Sequence, residues 1–123
     1  MFVANNLFKK AGVGMDVIYK MLLEFDEDKV LKEGKYDLDK MKAFVNEICE
    51  NRGVQRDEDG MYVSRKWESI AAVTSILRHT DWCAENALRW IRYRSDDSGK
   101  NWYDEDVLEV MRKSENEYQQ RIG

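Results

Sequence analysis

The chain of 123 residues has no proline, a single histidine, two cysteines and seven glycines. Each shortage excludes something. Without proline, helices must stop at Gly, Asn or Asp clusters. Two cysteines, Cys49 and Cys83, cannot form a dense disulfide framework and are expected to be reduced, buried thiols. No apolar run approaches the roughly eighteen residues of a membrane helix, so no membrane association is expected. The stretch MFVANNLFKK lacks the basic-then-apolar order of a secretory leader, which makes the cytoplasm the expected location. No Ser-His-Asp order, phosphate loop or reactive-cysteine signature occurs, so neither an enzyme nor a cofactor or small-molecule substrate is expected. His79 and Cys83 stand four apart and, with Cys49, supply at most three zinc ligands where structural zinc wants four, so no metal is expected.

What is present is charge, at 36% of residues, with a net charge of −4. Residues 1–56 hold ten Lys/Arg and ten Asp/Glu, while residues 57–123 hold ten and fourteen. An overall acidic chain is a poor bulk polyanion binder, but local placement decides. Arg78 to Arg94, RHTDWCAENALRWIRYR, sets four arginines and a histidine against two acids. The acids collect instead around Asp26–Asp28, Asp57–Asp59, Asp96–Asp97 and Asp104–Asp106.

Apolar spacing predicts helices over residues 3–10, 16–25, 37–50, 67–78, 82–94 and 104–118. DEDKVLKEGKY reads as a loop or small hairpin, VQRDEDGMYVS as a hairpin around Asp59-Gly60, and SDDSGKN as a turn or hairpin tip. The order helix, turn, helix, polar wing, helix thus occurs twice. Val17–Leu22 overlays Ala87–Arg92, and Gly-Lys followed by Tyr-Asp-x-Asp occurs near both Tyr36-Asp37 and Tyr103-Asp104. Asp37 and Asp104 stand where helix caps belong, with Asp39 and Asp106 at the positive ends of the helix dipoles. Catalysis or metal binding is the other use of paired carboxylates; capping explains them at lower cost.

LFKKAGVGMDVIYKML and SGKNWYDEDVLEVM resemble the helix-turn-helix and the wing of MerR-like and excisionase-type DNA-binding domains, and phage terminase small subunits carry a similar element. The first half has the better turn and the second half the better wing. The resemblance implies a mainly α fold with small β wings. It divides the chain into two tandem winged helix-turn-helix units, residues 1–52 and 53–123, packed as one compact protein. It also implies duplex DNA as the partner of a sequence-specific or architectural DNA-binding protein, a phage, prophage or plasmid-type regulator, excision or packaging factor, with helix 82–94 entering the major groove.

On that helix Asn86, Arg89, Arg92 and Tyr93 face outward, suited to base edges. Arg78, Arg94 and Lys100 are placed to hold phosphates. Lys9, Lys10, Lys20 and Lys35 offer secondary backbone contacts from the first half, which otherwise suits a protein partner or a second protomer. The competing reading is an acidic inhibitor, of the immunity or anti-defence kind, whose carboxylate clusters mask a basic partner. Trp90, beside Arg89, is the aromatic expected at such an interface.

Overall fold

A computed structural model describes residues 17–96 and 101–122. Its frame is a five-stranded sheet in which every pairing is antiparallel, in the order β2-β3-β1-β4-β5. The strands are β1 (Ile18–Phe25), β2 (Gln55–Arg56), β3 (Tyr62–Ser64), β4 (Ala87–Ser95) and β5 (Asn101–Asp106). The helices are α1 (Glu27–Glu33), α2 (Leu38–Asn51), α3 (Trp67–Arg78), α4 (Asp81–Asn86) and α5 (Val107–Ile122).

Alternation sorts the sheet into two faces. Tyr19, Met21, Leu23 and Phe25 of β1 point one way, joined across the register by Tyr62 and Trp90. This face meets Val30 of α1, Met41, Val45 and Cys49 of α2, Ile70, Val73 and Leu77 of α3, and Cys83 of α4. Met21, Val73, Leu77, Cys83, Trp90 and Val107 are fully buried, so the core sits between the sheet and these helices. The other face carries Lys20, Leu22 and Glu24 of β1 with Val63, Arg89, Ile91 and Tyr93 opposite them.

Several expected elements form for the expected reasons. Asp37 caps α2, its Oδ1 accepting the Lys40 amide at 3.2 Å. Helix α3 covers residues 67–78 as its Ile70, Val73 and Leu77 stripe predicts. The hairpin joining β2 and β3 turns at Gly60, whose φ of 82° a side chain would strain. Asp57 fixes that turn by accepting the amides of Asp59 at 3.0 Å and Met61 at 2.9 Å.

The mainly α expectation is overturned: the protein is mixed α/β. Residues 18–25 and 87–94, expected within helices 16–25 and 82–94, lie instead in strands β1 and β4, hydrogen-bonded side by side within the sheet. The apolar residues of IYKMLLEF satisfy a helical stripe through Ile18, Met21, Leu22 and Phe25. They equally satisfy an alternating one through Tyr19, Met21, Leu23 and Phe25, and the second is what the sheet uses. In β4 the helical reading turns Ala87, Leu88 and Ile91 inward. The strand buries Trp90 instead and leaves Leu88 55% exposed. Tryptophan offers far more apolar area than alanine or leucine, so its burial decides the element.

Two further corrections follow. DEDKVLKE, read as a loop, forms α1, capped by Asp26 and ended by Gly34 at φ 62°. Asp104 caps no helix: it lies in β5, and the first turn of α5 is capped by Asp106, whose Oδ1 accepts the Glu109 amide at 3.2 Å. Because β1 lies between β3 and β4, residues on both sides of position 52 share one sheet and one core in place of two tandem winged units. The helix expected over residues 3–10 and the Gly-Lys tip at residues 99–100 lie outside the described residues.

Candidate functional site

Two clusters bring charge and aromatic groups together. The first is the ribbon formed by β4 and β5, which holds most of the residues expected to touch DNA. Strand alternation sends Arg92 and Arg94 to one face and Arg89 to the other. Each has a carboxylate opposite it. Arg89 pairs with Glu24 of β1 at 2.5 Å, and this contact raises the arginine pKa. Arg92 lies 3.3 Å from Glu105 and 3.8 Å from Asp104, with only 16% of its side chain exposed. Arg94 lies 3.7 Å from Asp104. A register shift between Arg92 and Tyr93 inserts one extra β5 residue. Such a bulge re-aims side chains, and here Asp104 meets both Arg92 and Arg94.

The second cluster lies between α2 and α4. The polar tract from Asp26 to Asp37 is tied to the end of α4 by four hydrogen bonds. The Asp26 amide donates to the Asn86 carbonyl at 2.8 Å, and Lys29 Nζ donates to the Glu85 carbonyl at 2.6 Å. The Glu85 carboxylate accepts from Lys35 at 3.2 Å and from Tyr36 at 3.0 Å. The hydrogen bond from Tyr36 is the largest cause of the lowered Glu85 pKa, followed by that from Lys35. The same Glu85 raises the Lys35 pKa.

This clamp holds Tyr36 in a groove of about 430 Å³ whose lining also includes Met41, Phe44 and Trp82, with the charged Lys35, Asp37 and Lys40. Phe44 packs edge-on against Trp82 at 5.4 Å between ring centroids, and Trp82 in turn meets core Phe25 at 6.1 Å. An aromatic row therefore runs from the core to the surface, where Phe44 is 39% exposed. Edge-to-face rings at these distances hold one another in place, so the groove wall is preorganised.

The expected site residues separate in space. Helix 82–94 does not exist as one element: α4 ends at Asn86 and β4 begins at Ala87. Asn86, expected to read bases, is buried, its Nδ2 donating to the Trp82 carbonyl at 2.9 Å. Arg89, Arg92, Tyr93 and Arg94 lie on β4, alternating between its faces, with Tyr93 opposite Tyr103. Arg78 ends α3, away from that strand in the chain order. Lys20 lies on β1 and pairs with Asp57 at 3.5 Å. Lys35 belongs to the groove. Lys9, Lys10 and Lys100 lie outside the described residues.

The groove residues Tyr36, Phe44 and Trp82 were missed as a set. Trp90, the aromatic expected at an interface, is fully buried. Phe44 belongs by spacing to the apolar stripe of its helix, but Met41 and Val45 on either side of it are the residues the core buries. Comparison with protein-family models, with characterised proteins and with solved structures returns no match. No helix among the described residues is long and apolar enough to cross a membrane.

Proposed function

We propose that the protein acts as a protein-binding module whose docking point is the α2/α4 groove. One observation carries this reading. The groove is the place where Tyr, Phe and Trp side chains stand together in an open, rigidly backed depression, and such residues anchor protein interfaces. Its occupant is a partner segment that inserts one large apolar side chain and places a carboxylate against Lys40. The charge argument extends beyond the groove. Residues 29–42 hold five lysines against three acids in a chain whose net charge is −4.

The ribbon offers less to either of the readings drawn from the sequence. A two-stranded ribbon is able to enter a major groove, but phosphates and bases require arginines that are not already matched, and Glu24, Asp104 and Glu105 match these. The acidic clusters are likewise engaged. Asp26 caps a helix, Asp57 holds a turn and pairs with Lys20, and Asp96 is only 9% exposed. A phosphate-mimicking surface built from them therefore gains little support.

The test is an unbiased peptide-display selection on the full chain. Selected sequences should share an aromatic or long aliphatic anchor flanked by Asp or Glu, and should lose at least tenfold in affinity to Phe44→Ser and to Lys40→Glu. Peptides that are basic, or that bind Phe44→Ser as well as wild type, refute the groove. Duplex DNA bound at low salt and lost in Arg89→Ala/Arg92→Ala would restore the nucleic-acid reading instead.

A further inference from the structure

Helix α5 begins in the core and then leaves it. Val107 is fully buried, and Leu108 and Met111 pack against the core. Residues 112–117 are all exposed. Helical spacing carries the row of Leu108 and Met111 on through positions 115 and 118. The sequence of residues 112–118 is RKSENEY, an aromatic residue preceded by Glu115 and Glu117.

That string has the chemistry the α2/α4 groove calls for, one large anchor with a carboxylate for Lys40. The spacing agrees as well. On the groove side, Asp37 caps α2, Lys40 lies in its first turn and Phe44 follows one turn later. On α5, Arg112, Glu115 and Tyr118 follow one another at intervals of three. Residues three or four apart are neighbours on a helix face, about one 5.4 Å turn from each other. Laid parallel, the two helices therefore bring Arg112 to Asp37, Glu115 to Lys40 and Tyr118 to Phe44 and Trp82 in a single register. Oδ1 of Asp37 accepts the Lys40 amide, and a carboxylate has a second oxygen for a guanidinium. A helix laid in a groove through anchors one turn apart is a recurrent mode of recognition.

The groove is lined by residues of the Lys35–Asp37 segment, α2 and α4, whereas α5 packs on β4 and β5. Within one chain the tail of α5 stays exposed and the groove stays open, so the two meet between copies. Tyr103 is the other exposed aromatic with an acid beside it, but it lies in β5, and its neighbour Asp104 already meets Arg92 and Arg94. Each copy carries one groove and one tail, so two copies can satisfy both at once.

We infer that the occupant of the groove is the α5 tail of a second copy of this chain, with Tyr118 as the anchor against Phe44 and Trp82 and Glu115 as the partner of Lys40. The inference rests on the groove reading above and names its partner.

Sedimentation of the full chain from micromolar to millimolar concentration tests it. Wild type should assemble beyond the monomer. Tyr118→Ser in the tail and Phe44→Ser in the groove should each weaken assembly about tenfold or more. An equimolar mixture of these two variants joins an intact groove to an intact tail, and should assemble more tightly than either variant alone. Glu115→Lys and Lys40→Glu should each weaken assembly, and both changes in one chain should restore it, which damage to either helix would not do. Lys40 and Glu115 are exposed, and amide spectra check that the variants fold. A monomer at millimolar concentration, assembly indifferent to Tyr118→Ser, or no rescue by the double reversal would overturn the second-copy occupant. If selected peptides still bind wild type and lose affinity to Phe44→Ser, the groove reading then stands without it. If no such peptide binds either, both fall.

Discussion

The β4–β5 ribbon and the α2/α4 groove contain the same chemical types, aromatics beside cations, and put them to different use. In the ribbon the aromatic Trp90 is fully buried and Arg89, Arg92 and Arg94 all face carboxylates. In the groove Phe44 and Trp82 remain in a depression that nothing described fills, and Lys40 makes no described ion pair. The difference teaches that a run of arginines marks a binding surface only when the fold leaves it unmatched. Strand pairing brings Glu24 and Glu105 opposite Arg89 and Arg92, so each of these arginines already has a carboxylate beside it.

Substitutions should separate the two regions by what they damage. Trp90→Ala removes the largest fully buried side chain and is expected to cost about 3–5 kcal/mol in urea unfolding. A cost near zero would mean that β4 is not the core strand described. Arg92→Ala leaves Asp104 and Glu105 with one arginine fewer. Arg92 is mostly buried, so a loss of about 2 kcal/mol is expected, and a double-mutant cycle with Glu105→Ala should show the two effects to be coupled. Additivity of the pair would remove the ribbon's structural role.

Phe44→Ser should shift unfolding by less than about 1 kcal/mol, because the ring is already partly in water. The same change should abolish peptide binding. If stability falls as far as for Trp90→Ala, the groove is simply core. Arg89→Ala is the smallest expected effect. Its pair with Glu24 is exposed, so no measurable change in the urea midpoint is expected.

The two buried thiols report on the packing of the helices that carry the groove. Burial pushes Cys83 on α4 from the usual 9.0 up to about 12, and Cys49 on α2 up to about 11. Both pKa values are raised on folding. The associated stability is therefore complete below about pH 9 and is lost as pH rises through the range toward 11 and 12. Urea midpoints should be flat between pH 7 and 8.5 and decline above it. Alkylation of Cys83 at pH 8 should wait for unfolding. Rapid labelling of the native protein would indicate that the groove wall opens.

What the chain made legible follows from how local each signal is. The Asp37 cap, the α3 stripe and the turn at Gly60 depend on residues within a few positions, and all three formed as read. Helix α1 was hidden because it buries just Val30 and its other residues are polar. Strands β1 and β4 were hidden because their apolar residues fit both periods. The choice between those periods rests on partners 62 to 77 residues distant in the chain, such as Leu23 opposite Trp90. The site behaved likewise. The arginine row was visible, but its carboxylates arrive from other strands. Tyr36, Phe44 and Trp82 come together only when Glu85 ties the Lys35–Tyr36 loop to α4.

The central claim, that binding belongs to the groove and structure to the ribbon, is tested most directly by the indole N–H signals of Trp82 and Trp90. In a ¹⁵N-labelled sample titrated with a peptide carrying one aromatic anchor among aspartates, the Trp82 signal and the amides of residues 36–44 should move, while Trp90 and residues 89–94 stay fixed. Movement of the β4 signals with the Trp82 signal unmoved, whether on adding this peptide or a DNA duplex, would contradict the account.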